Sequence, residues 1–437
     1  MTKGLKNIHI SFGNNDLTHF GGLFLFHVFC RKLKLKWYLQ NYIDHHYRNQ
    51  KYQTAEFILL LIYTIILGIG RIENIRFLQI NGFFKKTIGM NDLPDPSAIR
   101  RFLYRLTPTT IRQIVKVHNI IQKKIFVLLH TKTSVTFDVD GTVLTVYGNH
   151  QRAKVGYNPK KRGKRSYCLM LCFESNREFW YGSLKSGNVS QIKVAKHIIK
   201  DCLAKLPIPI YRIRVRLDAI FYGQRLVEEY LDDKNISYTI ETQIREPMLP
   251  LLEKVKYCSY KGDWEVAEFN YQPRDWKRPH RFVALRRPLP EDPDEKLQLK
   301  LFEMKNFGYR VLVTNLKLKP QNIWNFHSQR AQGAEQNIKE LKLNYSLAKI
   351  PTKSYIANVA YFQILLFAFN IINWFKWLCL LDEYHYVTLQ TIRERLLLIP
   401  ARLTTTGNRN LLKFPAGYQH KADLNAAMSK IGKMKPL

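Results

Sequence analysis

The chain has few acidic residues for its size. Asp and Glu number 34 against 69 Lys and Arg, which gives its 437 residues a net charge of +35. The basic excess is distributed along most of the chain and is not confined to one tail. A surface of this kind attracts extended polyanions, and we therefore favour a nucleic-acid partner over a basic protein with a merely solvated surface.

Paired cysteines and phosphate-binding glycine loops are both missing from the sequence. The six cysteines form no CxxC pair, so neither a zinc ribbon nor a thioredoxin-like redox motif is indicated. We expect free thiols in a reducing compartment. Because no Walker A loop is present, ATP hydrolysis is not indicated. No secretory signal segment is recognised at the start.

Charge is also absent from residues 355–375, a stretch long enough to cross a bilayer. The stretch contains Asn358, Gln363, Asn370 and Asn373, however, and basic sequence flanks it. We therefore expect a buried core helix and no membrane partner. A membrane protein built on this helix is the alternative.

The hydrophobic periodicity changes three times along the chain. Residues 1–130 are mainly helical, and Arg100 and Arg101 follow a helix-start signal there. This part is either a DNA-binding domain or a helical scaffold with a basic face. Residues 131–243 alternate strands and helices, which predicts a mixed sheet of the α/β (α+β) class. Residues 244–318 form a β-rich insertion, and residues 319–437 return to helices with a basic helical tail.

Two strand-like runs carry carboxylates in alternation with apolar residues. Asp138 and Asp140 share one face of the first strand, and three arginines that include Arg216 share a face with Asp218 on the second. Each run taken alone is explained by a turn aspartate or a half-exposed strand. Either Asp140 or Asp138 could bind a metal ion while the other supports it. Together the runs favour a metal site beside a DNA groove.

A third acid, Glu335, opens a basic helix in which Lys339 and Lys342 lie on the same face. A surface Glu–Lys pair is the simpler alternative for this segment. Taken with Asp140 and Asp218, however, Glu335 completes a carboxylate set suited to two-metal phosphoryl transfer. One metal would activate water or a 3′-hydroxyl, and the other would stabilise the leaving oxygen.

These motifs resemble, in order and spacing, the DDE transposases of the IS4/IS1380 type, whose catalytic domain is RNase H-like. Asp140-Gly141-Thr142 is similar to the first catalytic block, and the sequence Arg216 to Phe221 is similar to the second. Val313 to Leu316, followed by Arg330, Glu335 and Lys342, is similar to the third. The resemblance covers most of the chain.

The third block departs from the family pattern Tyr-x2-Arg-x3-Glu-x6-Lys. His327 stands where Tyr is expected, and four residues instead of three separate Arg330 from Glu335. In an unbroken helix the additional residue would rotate Arg330 by about 100°. Either a bulge at Gly333 absorbs this residue or the helix begins after it.

The resemblance implies a cut-and-paste transposase in which Asp140, Asp218 and Glu335 hold two Mg²⁺ ions, with Mn²⁺ as a substitute. DNA contacts would come from His327, Arg330, Lys339 and Lys342, with Arg216, Arg100 and Arg101 as further candidates. The implied partners are the element's terminal inverted repeats, the target DNA and a second copy of the chain. The expected location is the cytoplasm of a prokaryote, at the nucleoid. A catalytically silent, transposase-derived DNA-binding protein is the alternative.

Overall fold

A computed structural model describes residues 16–45, 51–129, 133–159, 161–207, 210–288, 307–407 and 409–437. Residues 289–306 of the predicted β insertion therefore lie outside the described residues. The chain forms two compact units. Unit 1 comprises residues 1–125 and 340–437, and unit 2 comprises residues 126–339. The helices after residue 340 thus group with the N-terminal helices, and the segment 244–318 belongs to unit 2.

Helices provide most of unit 1 and connect the strands of unit 2. In chain order they are α1 (Leu23–Lys32), α2 (Leu35–Tyr42), α3 (Thr54–Ile66), α4 (Gly82–Ile88), α5 (Pro96–Arg105), α6 (Pro108–Leu129), α7 (Gln191–Ala204), α8 (Gln224–Leu226), α9 (Leu249–Lys254), α10 (Pro320–Arg330), α11 (Gln336–Leu343), α12 (Tyr355–Cys379), α13 (Leu389–Ile392) and α14 (Lys421–Lys433). Three π-helical segments follow α8, α10 and α13 directly, at Val227–Asp232, Ala331–Glu335 and Arg393–Leu397.

The strands form two sheets. In chain order they are β1 (Leu17–Thr18), β2 (Ser134–Thr145), β3 (Lys154–Val155), β4 (Arg165–Glu174), β5 (Phe179–Ser186), β6 (Arg212–Leu217), β7 (Ser237–Thr242), β8 (Cys258–Lys261), β9 (Trp264–Tyr271), β10 (His280–Pro288), β11 (Phe307–Thr314), β12 (Ala401–Thr406) and β13 (Arg409–Lys413).

Unit 1 is built around α12, the long helix without charge in its first 21 residues. Its side chains are buried almost all round, and the helix contacts α3, α5 and α14. It is long and apolar enough to cross a membrane, but 83% of its most apolar window is buried inside the protein. A small antiparallel sheet, β1-β12-β13, completes this unit. The basic C-terminal tail thus contains a hairpin as well as the predicted helix.

Unit 2 contains a ten-stranded mixed sheet with the order β3-β4-β2-β6-β7-β11-β10-β9-β8, in which β5 also pairs with β4. The strands β2, β6 and β7 are parallel, and the remaining pairs are antiparallel. The strands of the predicted insertion therefore extend the same sheet, because β11 pairs with the open edge of β7. The predicted mixed α/β class is confirmed, and all six cysteines have free thiols, as expected.

Candidate active site

The register of two parallel strands brings the first two predicted acids together. Asp138 on β2 lies beside Arg216 on β6, and the next registered pair is Val139 with Leu217. Because both strands run in the same direction, the residues that follow, Asp140 and Asp218, are also neighbours. Asp140 lies in the middle of β2 and not at its end, since the strand continues to Thr145.

Asp138 and Arg216 form a buried ion pair. Nε and Nη2 of Arg216 donate to the two carboxylate oxygens at 2.6 and 2.7 Å, and the two side chains, Asp138 and Arg216, are 0% and 3% exposed. The remaining nitrogen, Nη1, donates to the Phe326 carbonyl at 2.8 Å and to Gln329. The guanidinium of Arg216 is enclosed by these partners, so the predicted DNA contact would require it to leave them. Both oxygens of Asp138 are likewise engaged by Arg216, which argues against a supporting role at a metal.

Arg330 contacts all three predicted catalytic acids. Its Nη1 lies 2.8 Å from Oε1 of Glu335, and its Nη2 lies 3.1 Å from Oδ1 of Asp140 and 3.8 Å from Oδ2 of Asp218. The arginine side chain is 6% exposed, whereas Asp218 and Glu335 are 43% and 55% exposed. The three carboxylates therefore surround one cationic group within unit 2.

A π-helical segment makes the contact between Arg330 and Glu335 possible. The helix begins at Pro320, not near Glu335 as expected, and changes to π geometry over Ala331–Glu335 before α11 continues it. A π turn accommodates one residue more than an α turn, so residues five apart meet on the same side. The additional residue between Arg330 and Glu335 is thus absorbed by a bulge, and the helix does not start after Gly333.

Gly333 allows this segment to lie directly against β2. A Cβ atom added to Gly333 would stand 2.3 Å from Oδ2 of Asp138. That oxygen is fixed by Arg216, so it cannot move aside easily. The absence of a side chain at Gly333 therefore sets how closely the helix approaches the strand that carries Asp140.

The surroundings of Asp140 oppose its ionisation. Burial raises the pKa of Asp140 from 3.8 to about 6, and the charges of Asp218 and Glu335 act in the same direction. Arg330 and the backbone N–H of Gly141, which donates to Oδ1 at 2.7 Å, act against this shift. A buried carboxyl group with a raised pKa beside two further carboxylates is typical of functional sites, where perturbed pKa values cluster.

His327 is enclosed as well. Its Nδ1 lies 2.9 Å from Oγ1 of Thr239, and its side chain is buried. Burial, assisted by three nearby arginines, lowers the pKa of His327 to about 3. The ring is therefore neutral at physiological pH and buried, so the predicted DNA contact through His327 would require its exposure.

The other predicted DNA-binding residues occupy different positions. Lys339, one helical turn after Glu335, is exposed, while Lys342 is half-buried and belongs to unit 1. In unit 1, Arg101 is exposed on α5, whereas Arg100 is half-buried and forms an ion pair with Glu73. Of these four residues, Lys339 and Arg101 are therefore the ones best placed to meet a phosphate.

The donor set fits a divalent metal ion in kind. All three acids offer carboxylate oxygens, which are the ligands that Mg²⁺ and Mn²⁺ prefer, and they already converge on a single cation. With Arg330 between them, no three acidic, histidine or cysteine side chains within the described ranges stand close enough to hold an ion. Carboxylate chemistry thus agrees with a metal, provided that the guanidinium gives way.

Two contributors to the site could not be recognised from the sequence. Phe326 lies over the guanidinium of Arg216, with 5.0 Å between Cζ and the ring centroid. Gln329 fixes the same arginine from the side. Phe326 lies directly before His327, and Gln329 lies between His327 and Arg330 of the third block. The segment lacks strong helical periodicity, and the Pro320 that begins the helix was the one available signal.

Comparisons with known proteins give a family and a set of distant structural neighbours. The model of the family described as transposase DDE domain, group 1, matches residues 2–436. No curated protein matches. A piggyBac transposase synaptic complex with hairpin DNA is similar at a TM-score of 0.45 and 9% identity, over 95% of this chain and 80% of that one.

Two Mos1 transposase structures show weaker similarity. A paired-end complex with the left transposon end has a TM-score of 0.18 at 15% identity, over 45% of this chain and 60% of that one. A mariner paired-end complex with Mn has a TM-score of 0.17 at 14% identity, over 48% and 65%. All three structural similarities have TM-scores below 0.5, whereas the family match spans nearly every residue of the chain. The chain belongs to the DDE transposases, in the group 1 transposase DDE domain family.

Proposed function

We propose that the protein is a cut-and-paste DNA transposase of the IS4/IS1380 type. It would cleave the ends of its element and join the freed 3′-hydroxyls to target DNA. The observation that carries this proposal is the meeting of Asp140, Asp218 and Glu335 around one cationic group. Asp140 lies on β2, Asp218 directly follows β6, and Glu335 lies in the π-helical segment. Carboxylates that converge from three separate elements repel one another, so their convergence favours a functional role over a structural one.

Asp140, Asp218 and Glu335 would hold the metal ions, for which we propose Mg²⁺, with Mn²⁺ as a substitute. When bound, divalent ions lower the pKa of the attacking oxygen and stabilise charge on the leaving oxygen. The protein's own part is positional. The Asp138–Arg216 pair supports both strands from within, and Gly333 allows the helix that carries Glu335 to approach them.

The basic residues would hold the DNA backbone. Lys339 is exposed one turn after Glu335, so it can reach a phosphate close to the acids. Lys342 lies one turn further, and Arg101 offers an exposed cation on α5. The net charge of +35 supplies the long-range attraction that a DNA partner requires. We further propose a homodimer that pairs two element ends, acting at the nucleoid in the cytoplasm of a prokaryote.

The proposal is tested by cleavage of the element's own ends. The substrate is a duplex bearing the inverted repeats that flank the reading frame, incubated with the full chain and Mg²⁺. We expect strand cleavage at the repeat end, followed by joining to a target plasmid. Asp140→Asn, Asp218→Asn and Glu335→Gln should each lose cleavage while retaining DNA binding.

A matched control keeps this test specific. Asp233 is an exposed acid of unit 2, and its partner is Lys234 at 3.3 Å. Asp233→Asn therefore removes one exposed negative charge outside the trio and should cleave normally. Binding without any cleavage by the wild type would instead support the alternative, a catalytically silent DNA-binding protein.

A further inference from the structure

Arg216 and Arg330, the two buried arginines of the site, differ in the number of hydrogen bonds that hold them. Arg216 makes four hydrogen bonds, two of them to one carboxylate, and each of its three nitrogens has a partner. Arg330 is equally buried, but its Nε and Nη2 make no hydrogen bond of suitable geometry to any part of the chain that the structure describes. Arg330 is therefore held mainly by the charges of three acids, and a stronger cation could replace it.

The charge balance explains why a cation is needed there. Asp140, Asp218 and Glu335 bring up to three negative charges within 4 Å of Arg330. Without the guanidinium these carboxylates would repel one another, and Asp140 would be left buried without a counter-charge. A buried charge that loses its partner is strongly destabilising. The metal-free protein thus depends on Arg330 to keep the trio assembled.

A metal ion and this guanidinium compete for the same oxygens. Mg²⁺ binds carboxylate oxygens at about 2.0–2.1 Å with strict octahedral geometry. The Nη atoms of Arg330 lie 2.8–3.8 Å from one oxygen on each of the three acids, in the space between them. Both cations cannot occupy this space together. The π-helical segment begins directly after Arg330, so the backbone changes its geometry at the residue that must move.

We propose that Arg330 is an internal counter-cation that stands in for the metal and is displaced when a divalent ion binds. It is a positioning residue, since it acts on the carboxylates and preserves their arrangement in the metal-free protein. Its presence lowers the affinity for metal, because binding must break three ion pairs first. This inference rests on the proposed function only in taking the trio as a metal site.

The test is a titration of the full-length protein with MnCl₂ in the absence of DNA. The concentration of free Mn²⁺ is measured by electron paramagnetic resonance at each step, which gives the affinity of the protein for Mn²⁺. Arg330→Gln should bind Mn²⁺ at least about tenfold more tightly than the wild type, which corresponds to about 1.4 kcal/mol. In EDTA the same variant should melt at a lower temperature, and Mn²⁺ should raise its Tm more than it raises that of the wild type.

Lys234→Gln is the matched control for net charge. It removes one positive charge from unit 2, but Lys234 is exposed and pairs with Asp233, whereas the ion pairs of the trio within the described residues are made with Arg330. Its Mn²⁺ affinity should change by no more than about twofold, given the screening of exposed charges. Arg330→Lys, which retains a cation without the planar fork, should bind Mn²⁺ with an affinity between those of the wild type and Arg330→Gln.

The results separate the two proposals. If Arg330→Gln or Arg330→Lys binds Mn²⁺ more weakly than the wild type, the arginine only supports the ligands and the counter-cation inference is wrong. If Asp140→Asn combined with Arg330→Gln abolishes the gained binding, the ion occupies the trio as proposed. If neither the wild type nor Arg330→Gln binds Mn²⁺, the metal site of the proposed function fails and this inference fails with it.

Discussion

Replacing Arg216 by Met tests the division of labour between the two arginines. The change removes the cation bonded to both oxygens of Asp138, which is completely buried. Burial already raises the pKa of Asp138, and Arg216 is the main influence that opposes this. Breaking one partner of a buried ion pair typically destabilises a protein by about 3–5 kcal/mol. We expect the free energy of unfolding to fall by this amount, which is a large part of the roughly 5–15 kcal/mol typical of a folded protein.

The assay is urea unfolding followed by the fluorescence of the seven tryptophans. Arg216→Met should lower the midpoint substantially, whereas Arg216→Met combined with Asp138→Leu should recover most of the loss, since an apolar pair leaves no charge unpaired. Arg212→Met is the control, because Arg212 lies on the same strand but is exposed. It should change stability by less than about 0.5 kcal/mol. Unchanged stability of Arg216→Met with weakened DNA binding would refute this account and restore the DNA-contact role.

The remaining predictions concern the bulge, the pH dependence and the DNA surface. Gly333→Ala should destabilise unit 2 by about 1–3 kcal/mol through overpacking against Asp138 and lower cleavage, whereas Gly432→Ala, on a helix with open space around it, should not destabilise. Because the pKa of Asp140 is raised to about 6 in the folded protein, the folded state binds this proton more tightly than the unfolded state does. The metal-free wild type should therefore lose stability, on the order of 2 kcal/mol, as pH rises from about 4 to about 6. Asp140→Asn should lack that decline, and parallel pH curves in chemical denaturation would contradict it. Lys339→Gln should weaken DNA binding similarly on all sequences and reduce the slope of log affinity against log salt by about one; an unchanged slope would remove Lys339 from the phosphate contacts.

The alternation of polar and apolar residues along the strands made part of the candidate site predictable from the sequence alone. Alternation placed Asp138 and Asp140 on one face of β2, and in the structure Asp138 binds Arg216 of β6 while Asp140 contacts Arg330. What alternation cannot tell is which residues of a polar face are later covered. Arg216 is enclosed because Phe326 and Gln329, more than a hundred residues away, close over it.

The third block illustrates a second limit. The additional residue before Glu335 left two geometries open, and the π-helical segment was selected by contacts that only the folded chain provides. Gly333 approaches Asp138, and Arg330 thereby reaches three acids from different elements. The grouping of residues 340–437 with the N-terminal helices likewise could not be predicted, because the sequence of an apolar helix such as α12 does not indicate which helices it packs against.

The central claim is that Asp140, Asp218 and Glu335 form a divalent-metal site for cutting DNA. The most direct measurement is cleavage of the element's inverted-repeat DNA by the full chain, with Mg²⁺ or with EDTA, for the wild type, Asp218→Asn and Asp233→Asn. We predict cleavage only with Mg²⁺, its loss in Asp218→Asn with DNA binding intact, and normal cleavage by Asp233→Asn. Cleavage by Asp218→Asn at the wild-type rate, or cleavage in EDTA, would contradict the account.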